Sequence, residues 1–275
     1  MIPRPRPKSR GSATSADGTR IAWNLYGEGQ RAVLFVPTWN IVDARVVGHQ
    51  VAALEHQATV LTYDPRGAGA SERPQRGYDF SHHAADALAV LDACGIGPAA
   101  LVTASRGTNA ALLLAAGDGE RFDRLVAIAP YMSLEPDPAP PSSAWLESLI
   151  ADWPGFIVPF MHNVFTEPDS ADLIAEMIEI GLETSPEVIV TQERELDWRR
   201  PAGLLGRVTC PTLVIHGEKD LPVPVALAKS IVGAMPNARL EVIPGGGHRP
   251  DIRTPELVNP LLLDFLLDSQ AAARA

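Results

Sequence analysis

The sequence predicts an α/β fold: a mostly parallel, doubly wound sheet of eight strands with helices on both faces and an inserted helical cap. Two observations carry the prediction. Short apolar runs of strand length alternate along the chain with longer helix-forming stretches, the rhythm of a parallel sheet covered on both sides. That rhythm is interrupted once, between about residues 131 and 205, by a stretch in which only helix-like segments are visible. At 275 residues the chain can bury a sizeable core, and 46% hydrophobic with 6% aromatic residues is the composition of a soluble globular protein. No window has the ~18 uninterrupted apolar residues of a membrane span.

Residues 1–11 are basic and proline-rich and read as a disordered surface tail. No apolar run follows them, so they are not a secretory signal, and the expected compartment is the cytoplasm. Ser12 to Tyr26 reads as two short strands joined at Asp17-Gly18, a dipeptide that favours a hairpin turn. Ala32 to Val36 is a strand buried on both faces, and a helix from about Ala44 to Glu55 leads to a strand over Thr59 to Tyr63. A helix from about Ser81 to Cys94 leads to the strand Ala99 to Ala104, after which a helix begins with no loop between. Further strands are expected at Arg124–Ala129, Thr212–His216 and Leu240–Ile243. The core is thus 12–130 with 206–275, and 131–205 is the cap. That insertion opens with Pro136, Pro138, Pro140 and Pro141 and carries helix-like segments at Ser143–Ala151, Ser170–Leu182 and Pro186–Leu196.

In such a sheet, ligands bind at the carboxyl ends of the strands, and three reactive side chains are placed there. Ser105 stands where Leu101-Val102-Thr103-Ala104 gives way to Arg106-Gly107-Thr108-Asn109, a strand-to-helix join tight enough to need Gly107. This is the layout of a nucleophile elbow with Thr103 in place of its first glycine, which predicts a slightly wider turn. A serine hydroxyl needs a base, an orienting acid and oxyanion donors. Asp220 follows the strand ending at His216-Gly217, and His248 follows the last strand on Gly245-Gly246-Gly247.

Serine, acid and histidine in that order resemble the α/β-hydrolase superfamily from about Ser12 to Leu267. Asp64-Pro65-Arg66-Gly67-Ala68-Gly69-Ala70-Ser71 is similar to the loop after that family's fourth strand, and the insertion occupies the place of its cap. The resemblance implies a catalytic triad of Ser105, Asp220 and His248. It also implies an oxyanion hole made by the backbone N–H groups of Trp39 and Arg106. The loop before Trp39 departs from the family pattern, with Pro37-Thr38 where many members have His-Gly.

Candidate pocket residues are Trp39, Phe156, Phe160, Met161 and His162, which supply an apolar lining with one polar group. His82 and His83 read as solvated or capping residues, His216 as structural, and Arg66 as a brace for its loop. The Arg106 side chain meets either an anionic substrate or an acidic neighbour. Cys94 and Cys210 read as buried thiols with no metal spacing between them.

A formal net charge of −10 argues against a general nucleic-acid binder. There is no phosphate-binding Gly-x-x-x-x-Gly-Lys-Ser/Thr loop, no dinucleotide fingerprint and no His-Glu-x-x-His pair, and no metal or organic cofactor is implied. The expected function is that of a cofactor-independent serine hydrolase cleaving an ester, thioester or lactone of a small, mainly apolar molecule through an acyl-enzyme. The same residues also serve an acyltransferase, a perhydrolase, a carbon–carbon bond hydrolase or a non-catalytic small-molecule receptor. The expected partner is a small acyl substrate, and the oligomeric state is open, a homodimer included.

Overall fold

The computed structural model describes residues 1–135 and 138–267. Pro136 of the proline cluster and residues 268–275 of the expected core lie outside the described residues. The chain opens with β1 (Ser9–Thr14) and β2 (Arg20–Tyr26), paired antiparallel around a turn in which Gly18 takes φ 90°. Then follow β3 (Arg31–Val36), α1 (Gly48–Leu54), β4 (Ala58–Tyr63), α2 (Phe80–Ala93), β5 (Ala99–Ala104), α3 (Gly107–Gly117) and β6 (Phe122–Ile128). After an insertion the alternation resumes with β7 (Thr212–Gly217), α9 (Val225–Gly233), β8 (Ala238–Ile243), α10 (Pro250–Arg253) and α11 (Pro255–Leu267).

The strands form one eight-stranded sheet in the order β1-β2-β4-β3-β5-β6-β7-β8. Pairing is antiparallel from β1 to β4 and parallel from β4 onward. Successive side chains of a strand point to opposite faces, so a strand that is apolar throughout must be covered twice. Leu34, Leu61 and Leu101 meet Leu91 of α2 and Leu112 of α3 on one face. Val33, Val60 and Val102 meet Leu54 of α1 and Leu262 and Phe265 of α11 on the other.

The insertion contains α4 (Ser143–Ala151), α5 (Trp153–Val164), α6 (Ala171–Leu182), α7 (Pro186–Glu195) and the single turn α8 (Arg199–Ala202). The sequence expectation lacked α5, which carries Pro154 and Pro159. Pro154 sits in the first turn, where a missing N–H costs nothing, while Pro159 removes an interior bond. The helix persists because Trp153, Ile157, Met161 and Val164 recur at helical spacing and are buried together. Helices α4 to α7 share one apolar cluster with Trp39, Ile41 and Val42 of the loop after β3.

The N-terminal expectation needs correction. Ile2 is only 4% exposed, within the cluster of the inserted helices, and its N–H donates to Glu176 of α6 at 2.8 Å. Arg4 pairs with the same carboxylate, and β1 begins at Ser9 rather than after residue 11. One apolar anchor and one buried-edge carboxylate hold a segment that composition alone assigns to solvent. Among the described residues, no helix is long and apolar enough to cross a membrane.

Candidate active site

Ser105 leaves β5 with φ 50°, a left-handed conformation that costs a non-glycine residue and recurs where function demands it. Its carbonyl accepts from Tyr131 N–H, and its own N–H donates to Ile128 O. The buried Asn109 side chain locks this turn by donating to Arg106 O at 2.8 Å and Tyr131 O at 2.9 Å. A Cβ on Gly107 would stand 2.2 Å from Pro37 O and 2.4 Å from Thr103 Oγ1, so no larger residue fits. Thr103 is accommodated by turning its hydroxyl to donate to Val36 O at 3.1 Å. The close packing at Gly107 shows that the elbow stays tight despite Thr103, contrary to the wider turn expected.

The loops after β7 and β8 cross at Gly217, where a Cβ would stand 2.0 Å from Gly247 O. This close approach brings Asp220 and His248 together. His248 Nδ1 lies 2.8 Å from Asp220 Oδ2, and His248 Nε2 lies 3.0 Å from Ser105 Oγ. Asp220 and His248 are 7% and 4% exposed, so their hydrogen bonds face little competition from water. Burial raises the proton affinity of the Asp220 carboxyl, but donated hydrogen bonds from His216, His248 and Val223 N–H outweigh it and hold the group below its ordinary range. The inserted helices steady the histidine loop: Val164 O accepts from His248 N–H at 3.1 Å, and Glu167 Oε1 from Gly247 N–H at 2.7 Å.

A family model described as "Alpha/beta hydrolase family" matches residues 33–261. The chain belongs to that family. A non-heme haloperoxidase of Rhodococcus erythropolis is 26% identical over 269 residues, covering 92% of this chain and 98% of the relative. Among solved structures, an enol-lactonase from Burkholderia xenovorans LB400 superimposes with a TM-score of 0.84 at 21% identity, covering 94% of this chain and 100% of that one. An esterase from Exiguobacterium antarcticum gives 0.83 at 21% identity, covering 94% and 99%. At such identities the two structures show the fold, and the chain is a hydrolase by its family.

In this hydrolase the cavity beside Ser105 and His248 is small, about 40 Å³, and lined mainly by Trp39, Ile41, Val42, Phe160, Met161, Val164 and Met177. Of the expected pocket residues, Trp39, Phe160 and Met161 lie on it. Phe156 stands one layer back, stacked on Phe160 at 5.6 Å between ring centroids. His162 is exposed, since its position on α5 turns it away from the buried Met161 face, and it is removed from the pocket. Among the described residues, no hydrogen bond engages the backbone N–H of Trp39 or of Arg106.

The Arg106 side chain takes the acidic-neighbour option. It pairs with Glu193 of α7, which is buried, and its guanidinium lies 4.0 Å from the Trp39 ring centroid, with Tyr131 and Trp198 at 5.3 and 5.2 Å. The preceding residue, Gln192, donates to Asn40 Oδ1 at 2.9 Å. Two consecutive side chains of α7 therefore contact Asn40, which follows Trp39, and the Arg106 side chain. Arg66 braces its loop as expected, buried between Asp86 and Asp17. Cys210 is a buried thiol, whereas Cys94 is only partly buried, and burial pushes both up to about 11.

His83 corrects another expectation, for it is buried rather than solvated, with Gln192 Nε2 3.3 Å from its Nε2. Burial pushes it down to about 4, so the fold holds it neutral. Because its unfolded value is about 6.5, the unfolded chain binds the extra proton first. The stability this gives is complete above pH ~6.5 and is lost as pH falls towards ~4. In denaturant unfolding, the wild type is expected to lose about 3 kcal/mol more than His83→Gln between these limits. Parallel pH curves for the two proteins would refute this.

Proposed function

We propose that the protein is a cofactor-independent serine hydrolase that cleaves an ester, thioester or lactone of a small, mainly apolar molecule through an acyl-enzyme. The observation carrying this reading is the hydrogen-bonded line from Asp220 through His248 to Ser105, which ends in an apolar cavity. His248 Nε2 takes the proton of Ser105 Oγ as the oxygen attacks the carbonyl carbon, and Asp220 stabilises the imidazolium that forms. The N–H groups of Trp39 and Arg106 receive the oxyanion. His248 then protonates the leaving group, and in the second half-reaction it deprotonates the water that releases the acyl group.

Residues 131–205 act as a cap that sets which acyl groups enter. Arg249 on the cavity wall is paired with Asp251 at 2.7 Å, and nearby Arg106 with Glu193, so among the described residues neither guanidinium offers the cavity an unpaired charge. An uncharged, short acyl group suits it. A second apolar cavity of about 30 Å³ shares Thr38, Val42 and Arg249 with the first, so these side chains stand between the two.

A fluorophosphonate probe should label the wild type at Ser105, and p-nitrophenyl esters graded by chain length should show a short optimum. Unlabelled protein that turns over no ester in the series would overturn the reading. Val42→Ala joins the two cavities and should lengthen the preferred chain by about two methylenes, each worth ~0.8 kcal/mol when buried. An unmoved optimum in that variant would show that Val42 is not the wall.

A further inference from the structure

Asp220 answers to two imidazoles, and only one of them belongs to the relay just described. His216, the penultimate residue of β7, is fully buried, and its Nε2 lies 3.1 Å from Asp220 Oδ2 and 2.8 Å from Val223 O. Asp220 Oδ2 also faces His248 Nδ1 at 2.8 Å, while Oδ1 accepts from Val223 N–H at 2.8 Å.

Both groups opposite His216 Nε2 are acceptors, a carbonyl oxygen and a carboxylate oxygen, so the proton of the neutral ring sits on Nε2. Nδ1 makes no hydrogen bond among the described residues, and a buried N–H there would be costlier to leave unpaired than a lone pair. We propose that His216 is a positioning residue for the relay: its Nε2–H is shared between Val223 O and Asp220 Oδ2, and it sets how much of the carboxylate's charge is available to His248.

The inference rests on the serine-hydrolase reading, and its consequence runs through Asp220. A carboxylate oxygen that accepts two hydrogen bonds binds each donor less strongly than one that accepts a single bond. His216 therefore moderates the pull of Asp220 on His248 and fixes the plane of the carboxylate through the Val223 turn. The titratable groups in contact with it are Asp220 and, through Asp220, His248. Without the donor, Asp220 attracts the imidazolium form of His248 more strongly, and the relay holds its proton when it should serve as base.

The test compares wild type, His216→Phe and His216→Gln, since a glutamine amide reaches with an N–H to about the same place. His216→Phe should move the acid limb of its kcat/KM profile upward by about one unit, so that kcat/KM below that limb falls about tenfold, as expected for one hydrogen bond to a charged group. His216→Gln should restore most of both. The downfield proton resonance of the Asp220–His248 hydrogen bond should move further downfield in the phenylalanine variant and return in the glutamine variant, a readout needing no turnover. If His216→Phe melts too low to assay, His216→Gln against wild type carries the resonance comparison alone, and a loss of the resonance in it overturns the proposal. Active wild type with an acid limb and a resonance unmoved in His216→Phe also overturns it. Wild type with no ester turnover and no probe labelling instead removes the hydrolase reading, and the inference with it.

Discussion

Ser105→Ala is expected to lower the turnover of an activated ester by about a million-fold, to the level set by the binding site alone. The geometry gives the reason. Ser105 Oγ is the atom that His248 Nε2 faces at 3.0 Å, and the Asp220–His248 pair has nothing to activate without it. Alanine keeps a Cβ at the same left-handed backbone position, so the strain at φ 50° is neither relieved nor increased. The fold should therefore survive with a stability change below about 1 kcal/mol, and lost activity then reports chemistry rather than unfolding. Kinetics with p-nitrophenyl acetate and a thermal melt on the same preparation check both halves. Retention of more than a thousandth of wild-type kcat would assign the chemistry to another group.

How much of this was legible beforehand depends on how far each feature is fixed locally. Gly107 and the small residues around Ser105 are forced by the close approach of strand and helix, a constraint written in adjacent residues. The strands announced themselves because a run buried on both faces must be apolar throughout. Asp220 and His248 were placed because each follows a strand, and their meeting needs only the crossing of two loops at Gly217.

What stayed hidden depends on direction and on distant partners. Helix α5 carries two prolines, and only its burial against α6 and the Trp39 loop explains its persistence. Ile2 found its place through Glu176, 174 residues away. His216 was read as structural because a strand end reveals burial but not which atom a ring presents to the next loop. Gln192 and Glu193 carry no local signal of a role, because their partners Asn40 and Arg106 are distant in sequence.

Asp220→Asn should lower kcat/KM by about ten-thousand-fold while leaving the chain folded. Asparagine keeps the shape of aspartate but offers one oxygen and one NH2 in place of two acceptors. In the wild type every neighbour is a donor: His248 Nδ1 and His216 Nε2 at Oδ2, and Val223 N–H at Oδ1. If the amide oxygen faces the histidines, its NH2 opposes Val223 N–H. If it faces Val223, the NH2 opposes both rings and presses His248 towards the tautomer with Nε2 protonated, which gives up no lone pair to Ser105.

Either arrangement leaves a buried donor unpaired, at a cost of about 1–3 kcal/mol. The pH dependence carries the opposite sign to a simple loss. The folded Asp220 carboxyl is held below its unfolded value, so its stabilisation is present above about pH 4 and disappears as pH falls through the folded value. Asp220→Asn lacks that group, so its stability should fall less steeply in acid than that of the wild type. Urea titrations at pH 7 and in acid measure this difference. Activity of Asp220→Asn within tenfold of wild type would separate Asp220 from the relay and make its contact with His248 one of packing alone.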